Sequence, residues 1–379
     1  LLPVYHRLPV RLVSGEGCWL WADDGKRYLD FVAGIAVNQL GYNHPVIRAA
    51  IEQAAQSGLV HTSNLYRTVP AEELAAELVE RSFASQVFFC NSGAEANEGA
   101  FKFARRWAAD PGKKEIVALK GSFHGRTFGA LAATDRPQYR EPFLPLVPGV
   151  RIVDPERPAE LERAITAERT AAVIVEPIQG EGGVRVMPDG LLSDLRELCT
   201  EAGAALIFDE VQCGLGRTGT LFAYQETGVV PDMVTLAKAL GGGLPMGAIL
   251  VHEAIAAAIR PGDHATTFGG GPFVATVALA HLRAVAQPEF LSEVRRKGSW
   301  LGGRLAALQE RHDAIVAVRG RGLMWGIELS GPAQPVIERA LARGLLLMTA
   351  GPTVIRLLPP LVITEDELAE GLAILESCL

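Results

Sequence analysis

The pattern of apolar and polar positions changes character twice along the chain. Near the amino terminus, Trp19-Leu20-Trp21 and Tyr28-Leu29-Asp30-Phe31 are short aromatic-rich runs separated by Ala22-Asp23-Asp24-Gly25-Lys26. An Asp-Gly pair between two such runs predicts a hairpin. From about residue 45 the pattern becomes helices alternating with short runs that are apolar throughout, at 87–90, 116–119, 172–175, 205–208, 233–236 and 248–251. Runs without polar alternation suit strands buried on both faces of a mainly parallel sheet. The intervening segments predict helices over 70–81, 94–107 and 191–202. Past residue 265 the texture changes again. A helix over 288–311 precedes two strands around Gly320-Arg321-Gly322, and two more helices flank a strand at 354–358.

These elements predict an α/β fold with a mainly parallel sheet flanked by helices in a large domain, plus a smaller α+β domain. The expected division is 1–45 as a segment contributing to the small domain, 46–270 as the large ligand-binding domain and 271–379 as the small domain. No internal repeat or low-complexity linker interrupts the pattern.

Composition narrows the function more than the fold. A chain of 379 residues exceeds what one small core usually organises, in keeping with two domains. Hydrophobic residues at 49% and charged ones at 21% are globular proportions, far from those of disordered chains. A net charge of -7 gives no basic stripe for nucleic acid. The five cysteines, Cys18, Cys90, Cys199, Cys213 and Cys378, are scattered without zinc or redox-dithiol spacing. They read as reduced, mainly packing thiols, and no metal is expected. The first residues, Leu1-Leu2-Pro3-Val4-Tyr5-His6-Arg7, show no apolar signal-peptide core, and no apolar run is long enough to span a bilayer. A cytoplasmic enzyme acting on small molecules is the expectation.

In open parallel sheets ligands bind at the carboxyl ends of the strands, and reading those ends gives an informative set. The run 87–90 leads into Asn91-Ser92-Gly93-Ala94-Glu95. Ser92 with Glu95 three residues on predicts a capping box, and the free N–H groups of such a helix start form an anion site. A capped helix that binds nothing fits the same residues. The run 205–208 ends in Asp209-Glu210, where a buried carboxylate needs partners and suits holding a proton on a ring nitrogen. An acidic loop cap fits equally. Of only seven lysines, Lys238 alone lies between an apolar strand and a triple glycine, Gly241-Gly242-Gly243. Desolvation there lowers an amine's pKa and suits Schiff-base chemistry. The run 116–119 leads to Phe123, able to stack on a flat ring, and Arg126, able to fork onto a carboxylate. Gly214-Leu215-Gly216-Arg217-Thr218-Gly219 matches the dinucleotide fingerprint literally, but it follows its strand at a distance and opens no clear helix, so it is set aside.

An anion cup, a stacking aromatic, an acid for a ring nitrogen and an isolated lysine are the parts that pyridoxal 5'-phosphate requires. With these residues on the page, the chain resembles the class III (subgroup II) aminotransferases of fold-type I over nearly its whole length. Within that family it is most similar to the acetylornithine aminotransferases. The segments carrying the likeness include YLDFVAGIAVNQLGYN at 28–43, HTSNLY at 61–66, FFCNSGAEANE at 88–98, SFHGRT at 122–127, EPIQGEGG at 176–183 and FDEVQCGLGRTG at 208–219.

The resemblance implies catalytic roles for Lys238, as the Schiff-base lysine and proton shuttle, and for Asp209 on the pyridinium. It also implies cofactor contacts from Ser92, Gly93, Ala94, Phe123, Glu210, Val211 and Gln212, with Thr267 completing the phosphate site of a neighbouring subunit in a homodimer. Arg126, Thr266, Glu181, Arg356, Tyr5 and Asn38 are the implied substrate residues, Glu181 switching against Arg356 when the ω-amine is bound. Glu176 reads equally as a structural carboxylate. The family's usual Asn is replaced by Gly271. The implied reaction moves the ω-amino group of N2-acetyl-L-ornithine to 2-oxoglutarate, a step of arginine biosynthesis. Succinylornithine, ornithine, 4-aminobutyrate and carrier-linked lysine remain alternative donors. Isomerase or decarboxylase chemistry on the same fold fits the arginine set poorly, and a catalytically dead binding protein fits the full set of cofactor contacts poorly.

Overall fold

The computed structural model describes residues 1–379. Its central sheet has seven strands: β1 (Gln86–Cys90), β2 (Glu115–Leu119), β3 (Val150–Val153), β4 (Thr170–Val175), β5 (Ala205–Asp209), β6 (Met233–Leu236) and β7 (Gly247–Val251). They lie in the order β1-β7-β6-β5-β4-β2-β3. Only β7 runs antiparallel, to both of its neighbours, while the remaining pairings are parallel. Strands β4 to β7 are buried at every position, because helices cover both faces. The apolar-run criterion misses β3. That edge strand exposes Arg151 and carries no continuous apolar run.

Side chains along each strand alternate between two cores. Leu206 and Phe208 enter the core under helices Val69–Glu80, Asp189–Ala202 and Pro272–Val285. Ala205 and Ile207 enter the other, which packs Ala96, Ala100, Phe103 and Ala104 of helix Gly93–Trp107. The same alternation puts Asp209 on the side of helix Gly93–Trp107 and Glu210 on the opposite side. Since β1, β2, β5 and β6 are co-directional, their carboxyl ends share one edge of the sheet. The antiparallel β7 begins there.

A third core unites the two ends of the chain. The predicted hairpin forms with Trp19 opposite Leu29, and Leu345–Leu346 adds to it in parallel. Leu29 and Phe31 pack with Leu301, Ile327, Ile355 and Leu368. Helix Pro288–Arg311 covers the antiparallel strands Ile315–Arg321, Met324–Leu329 and Val354–Leu357. Helix Pro272–Val285, by contrast, contributes Ala275, Ala278, Leu282 and Val285 to the core of the large sheet. The passage between cores therefore falls after this helix, later than the expected boundary at 270. Gly271 is its N-cap, at φ -53, ahead of Pro272 at the first turn. Glycine in place of an asparagine cap costs only a few tenths of a kcal/mol.

The literal dinucleotide match serves structure. Arg217 is fully buried and donates through Nη1 to the carbonyls of Leu323 (3.0 Å) and Pro359 (2.6 Å), tying the large unit to the small one. All five cysteines are buried and unpaired. No helix is long and apolar enough to cross a membrane.

Candidate active site

A cavity of about 470 Å³ opens at the shared edge of the sheet. Ser92, Gly93, Ala94, Phe123, Arg126, Asp209, Val211, Gln212 and Lys238 all line it, with Leu244, Pro245 and Met246 leading into β7. Residues more than a hundred positions apart converge because four strand ends point the same way.

At the end of β1, Ser92 caps helix Gly93–Trp107 by accepting from Glu95 N at 3.2 Å. The reciprocal half of the expected capping box is absent: Glu95 instead accepts from the backbone N and the Nδ2 of Asn91, both at 2.8 Å. The N–H groups of Ser92, Gly93 and Ala94 consequently have no acceptor in the protein. They form a cluster of donors at the positive end of a fifteen-residue helix, an arrangement that favours a bound anion. Gly93 is required here for packing. A Cβ would stand 2.8 Å from Val211 Cγ1, displacing the branched side chain that walls the cavity.

Asp209 is buried, and its carboxylate is held by three donors. Oδ2 accepts from Asn97 Nδ2 and from His124 Nδ1, each at 2.8 Å, and Oδ1 accepts from Val211 N at 3.0 Å. Asn97 is itself oriented by Thr235 Oγ1 at 2.8 Å. Three hydrogen bonds satisfy the carboxylate and fix its direction. Asn97 and His124 received no role from the sequence. The available signal was Asn97 itself, a polar residue on a helix face otherwise made of Ala96, Ala100 and Ala104.

Lys238 follows β6 with φ +47, a left-handed conformation that costs a non-glycine residue on the order of 1–3 kcal/mol. It begins a short 3-10 turn, Lys238–Gly241, and no hydrogen bond or ion pair holds its Nζ. Burial lowers its pKa, and the nearby Arg356 charge lowers it further against the opposing Glu181, Asp209 and Glu176. The result is a more readily neutral, nucleophilic amine.

Two arginines are placed very differently. Arg356, on the strand Val354–Leu357, is fully buried and pairs with Glu181 Oε1 at 2.7 Å. Its Nη1 also donates to Gln212 Oε1 at 3.0 Å, so the pair sits directly behind a cavity-lining side chain. Gly180 leaves the room for this: a Cβ there would fall 2.2 Å from Gln212 Oε1. Arg126 is exposed at the cavity and has no acidic partner; its guanidinium lies 3.4 Å above the Tyr139 ring. Glu176 is buried, accepts from Phe123 N (2.8 Å) and Gly180 N (3.1 Å), and has its pKa raised to about 7 by burial.

Other expected residues lie elsewhere. Glu210 faces the opposite core, where it accepts from Ala223 N and Tyr224 N, so it makes no wall of the cavity. Burial lifts its pKa to about 7. Tyr5 is 72% exposed and does not line the cavity; Arg7 lies over its ring. Asn38 stands against Gly243 at the rim, where its neighbour Val37 is the lining residue. Thr266 and Thr267 line a separate groove of about 770 Å³ with the segment His61–Tyr66. Asn91 links the two sites by donating to Thr266 Oγ1 at 3.1 Å.

Residues 3–379 match a family model described as Aminotransferase class-III. The acetylornithine aminotransferase of Methanocaldococcus jannaschii is 46% identical over 370 residues, 97% of this chain and 92% of the relative. The N-acetylornithine aminotransferase of Stenotrophomonas maltophilia K279a superposes with a TM-score of 0.86 at 42% identity, covering 99% of this chain and 96% of that one. The Toxoplasma gondii ornithine aminotransferase, solved with partial occupancy of PLP at its active site, gives a TM-score of 0.95 at 30% identity, covering 100% and 91%.

Proposed function

The chain belongs to the class-III aminotransferases, and from that premise we propose that it transfers the ω-amino group of N2-acetyl-L-ornithine to 2-oxoglutarate. The protein is a pyridoxal-phosphate-dependent transferase. The cavity fits that cofactor. Three unsatisfied N–H groups suit its phosphate, Val211 and Phe123 offer apolar surfaces for its ring, and the triply held Asp209 suits its nitrogen. When bound, pyridoxal phosphate supplies an electron sink for the pair left on a substrate carbon.

The residues divide the remaining work. Asp209 holds a proton on the ring nitrogen, and Asn97 and His124 fix its direction. Lys238 would hold the cofactor through its aldehyde and would move a proton at the substrate carbon; burial lowers its pKa and makes the neutral amine more accessible. Gln212 has its Oε1 engaged by Arg356, which leaves Nε2 to donate toward the ring hydroxyl. Arg126 takes the α-carboxylate of acetylornithine, or the side-chain carboxylate of glutamate. Arg356 takes the α-carboxylate of glutamate or 2-oxoglutarate. While Glu181 pairs with it, Arg356 presents no net positive charge, and the neutral acylated end and ω-amine of the donor are accommodated. One observation carries this reading: the unmasked Arg126 lines the cavity, while the masked Arg356 stands behind its wall at Gln212.

Two copies assemble as a homodimer. Leu65, Tyr66, Val69 and Phe268 are exposed around the groove holding Thr266 and Thr267, an apolar concentration that marks an interaction surface. In this reading Thr267 of the partner subunit completes the anion site at Ser92–Ala94. The reaction belongs to arginine biosynthesis in the cytoplasm, consistent with five unpaired thiols.

The test compares kcat/KM for acetylornithine, succinylornithine, ornithine, 4-aminobutyrate and a carrier-linked lysine, each with 2-oxoglutarate. Acetylornithine is expected to lead. A ten-fold lead by any other donor would reassign the substrate. Separately, glutamate should change the absorbance of the bound cofactor, and an unchanged spectrum would sink the glutamate half-reaction.

A further inference from the structure

The loop that carries Phe123 and Arg126 is pinned along its length. Phe123 N donates to Glu176, His124 N to Thr134 Oγ1 at 2.9 Å, and Thr127 Oγ1 to Glu98 at 2.7 Å. The exception is the guanidinium of Arg126, which donates to no carboxylate or carbonyl. What it touches is aromatic. Its central carbon lies 3.4 Å from the Tyr139 ring centroid and 5.7 Å from that of Phe123. Tyr139, on the short helix Pro137–Arg140, also stands edge-on to Phe123, with centroids 6.5 Å apart at 86°. One ring therefore contacts both side chains that the loop presents to the cavity.

A free arginine on a flexible stem loses rotamer entropy each time it binds. An ion pair would restrain it but would also occupy its donors, as Glu181 does for Arg356. A ring face restrains the guanidinium plane and leaves its N–H edge open. We propose that Tyr139 is a positioning and specificity residue, a platform that holds Arg126 ready for a substrate carboxylate without masking it. This rests on the reading of Arg126 as the carboxylate site.

The test is a double-mutant cycle with the holoenzyme. Tyr139→Ala should raise KM for acetylornithine about five-fold, equivalent to ~1 kcal/mol, with kcat within about two-fold. Tyr139→Phe keeps the ring and should behave as the parent. In an Arg126→Ala background, Tyr139→Ala should add nothing. Where turnover of Arg126→Ala is too slow, the apparent Kd from the substrate-induced change in cofactor absorbance completes the cycle. A normal KM in Tyr139→Ala, an equal penalty without Arg126, or a Phe variant as impaired as the Ala variant overturns the platform. If Arg126→Ala alone leaves KM and Kd unchanged, the underlying carboxylate assignment fails instead, and the platform fails with it.

Discussion

Arg126 lines the cavity and Arg356 stands behind its wall at Gln212, and the molecule treats the two in opposite ways. Arg356 comes from the small unit, is fully buried, and meets a carboxylate, an amide oxygen, a thioether and a carbonyl. Arg126 comes from a loop of the large unit, is exposed, and meets two aromatic rings. A buried charge must be compensated or its desolvation cost is prohibitive, so Arg356 has a partner when no substrate is present. That partner, Glu181, retains part of its surface in solvent, whereas Arg356 retains none. An exposed charge needs no such partner, and Arg126 is free to select a carboxylate. Under the proposed function, the contrast teaches that burial separates a permanent anion subsite from a switchable one.

The comparison can be broken most completely at the group both arginines serve. Lys238→Ala should lower kcat by about three orders of magnitude or more for every donor, erasing any preference between them. Stopped-flow measurement of each half-reaction checks this, and near-normal turnover would move the chemistry to another residue. Next in size, Arg356→Gln strands Glu181 beside a buried amide. It also removes the charge proposed to meet the 2-oxoglutarate carboxylate, and losing one partner of a desolvated charge pair at a binding site costs roughly 3 kcal/mol, so KM for 2-oxoglutarate should rise about 100-fold while that for acetylornithine changes far less. Equal penalties on both substrates would mean that Arg356 is structural. Glu181→Gln keeps the shape and removes the mask. The ratio of kcat/KM for acetylornithine to that for glutamate should fall about ten-fold, and a ratio that holds steady would remove the switch.

The smallest effect lies away from both arginines, at Glu210. Burial raises its pKa from the ordinary 4.5 to about 7. A carboxyl raised in this way contributes stability fully below about pH 4.5, and the contribution is lost as pH climbs through about 7. Glu210→Gln should therefore narrow the Tm difference between pH 5 and pH 8, by roughly 1 °C for each kcal/mol removed. Donor preference should stay unchanged. An altered preference would place Glu210 in the site after all.

Legibility in the sequence followed burial on both faces. Six of the seven strands of the large sheet announce themselves as apolar runs, and β3 escapes because its edge position lets Arg151 face solvent. Lys238 and Asp209 stood out because a lone charge beside an apolar run needs a reason. Asn97, His124 and Tyr139 did not stand out. Their significance lies in contacts across 112, 85 and 13 positions of sequence, where no local pattern operates. The expected capping box was half right, since Glu95 has two candidate donors one residue apart and only the backbone path of Asn91 decides between them.

By itself the sequence determined the element types, the common edge of the sheet at which the candidate site gathers, the family, and Lys238 as the candidate central lysine. These follow from periodicity, strand direction and motif, which are properties of residues near one another in the chain. Tertiary structure alone decided which side of β5 each acid faces, that Glu181 reaches Arg356 behind Gln212, and that Arg126 rests on a ring instead of an acid. Those outcomes depend on which surfaces the two packed units bring together, and burial then sets whether each charge must be paired.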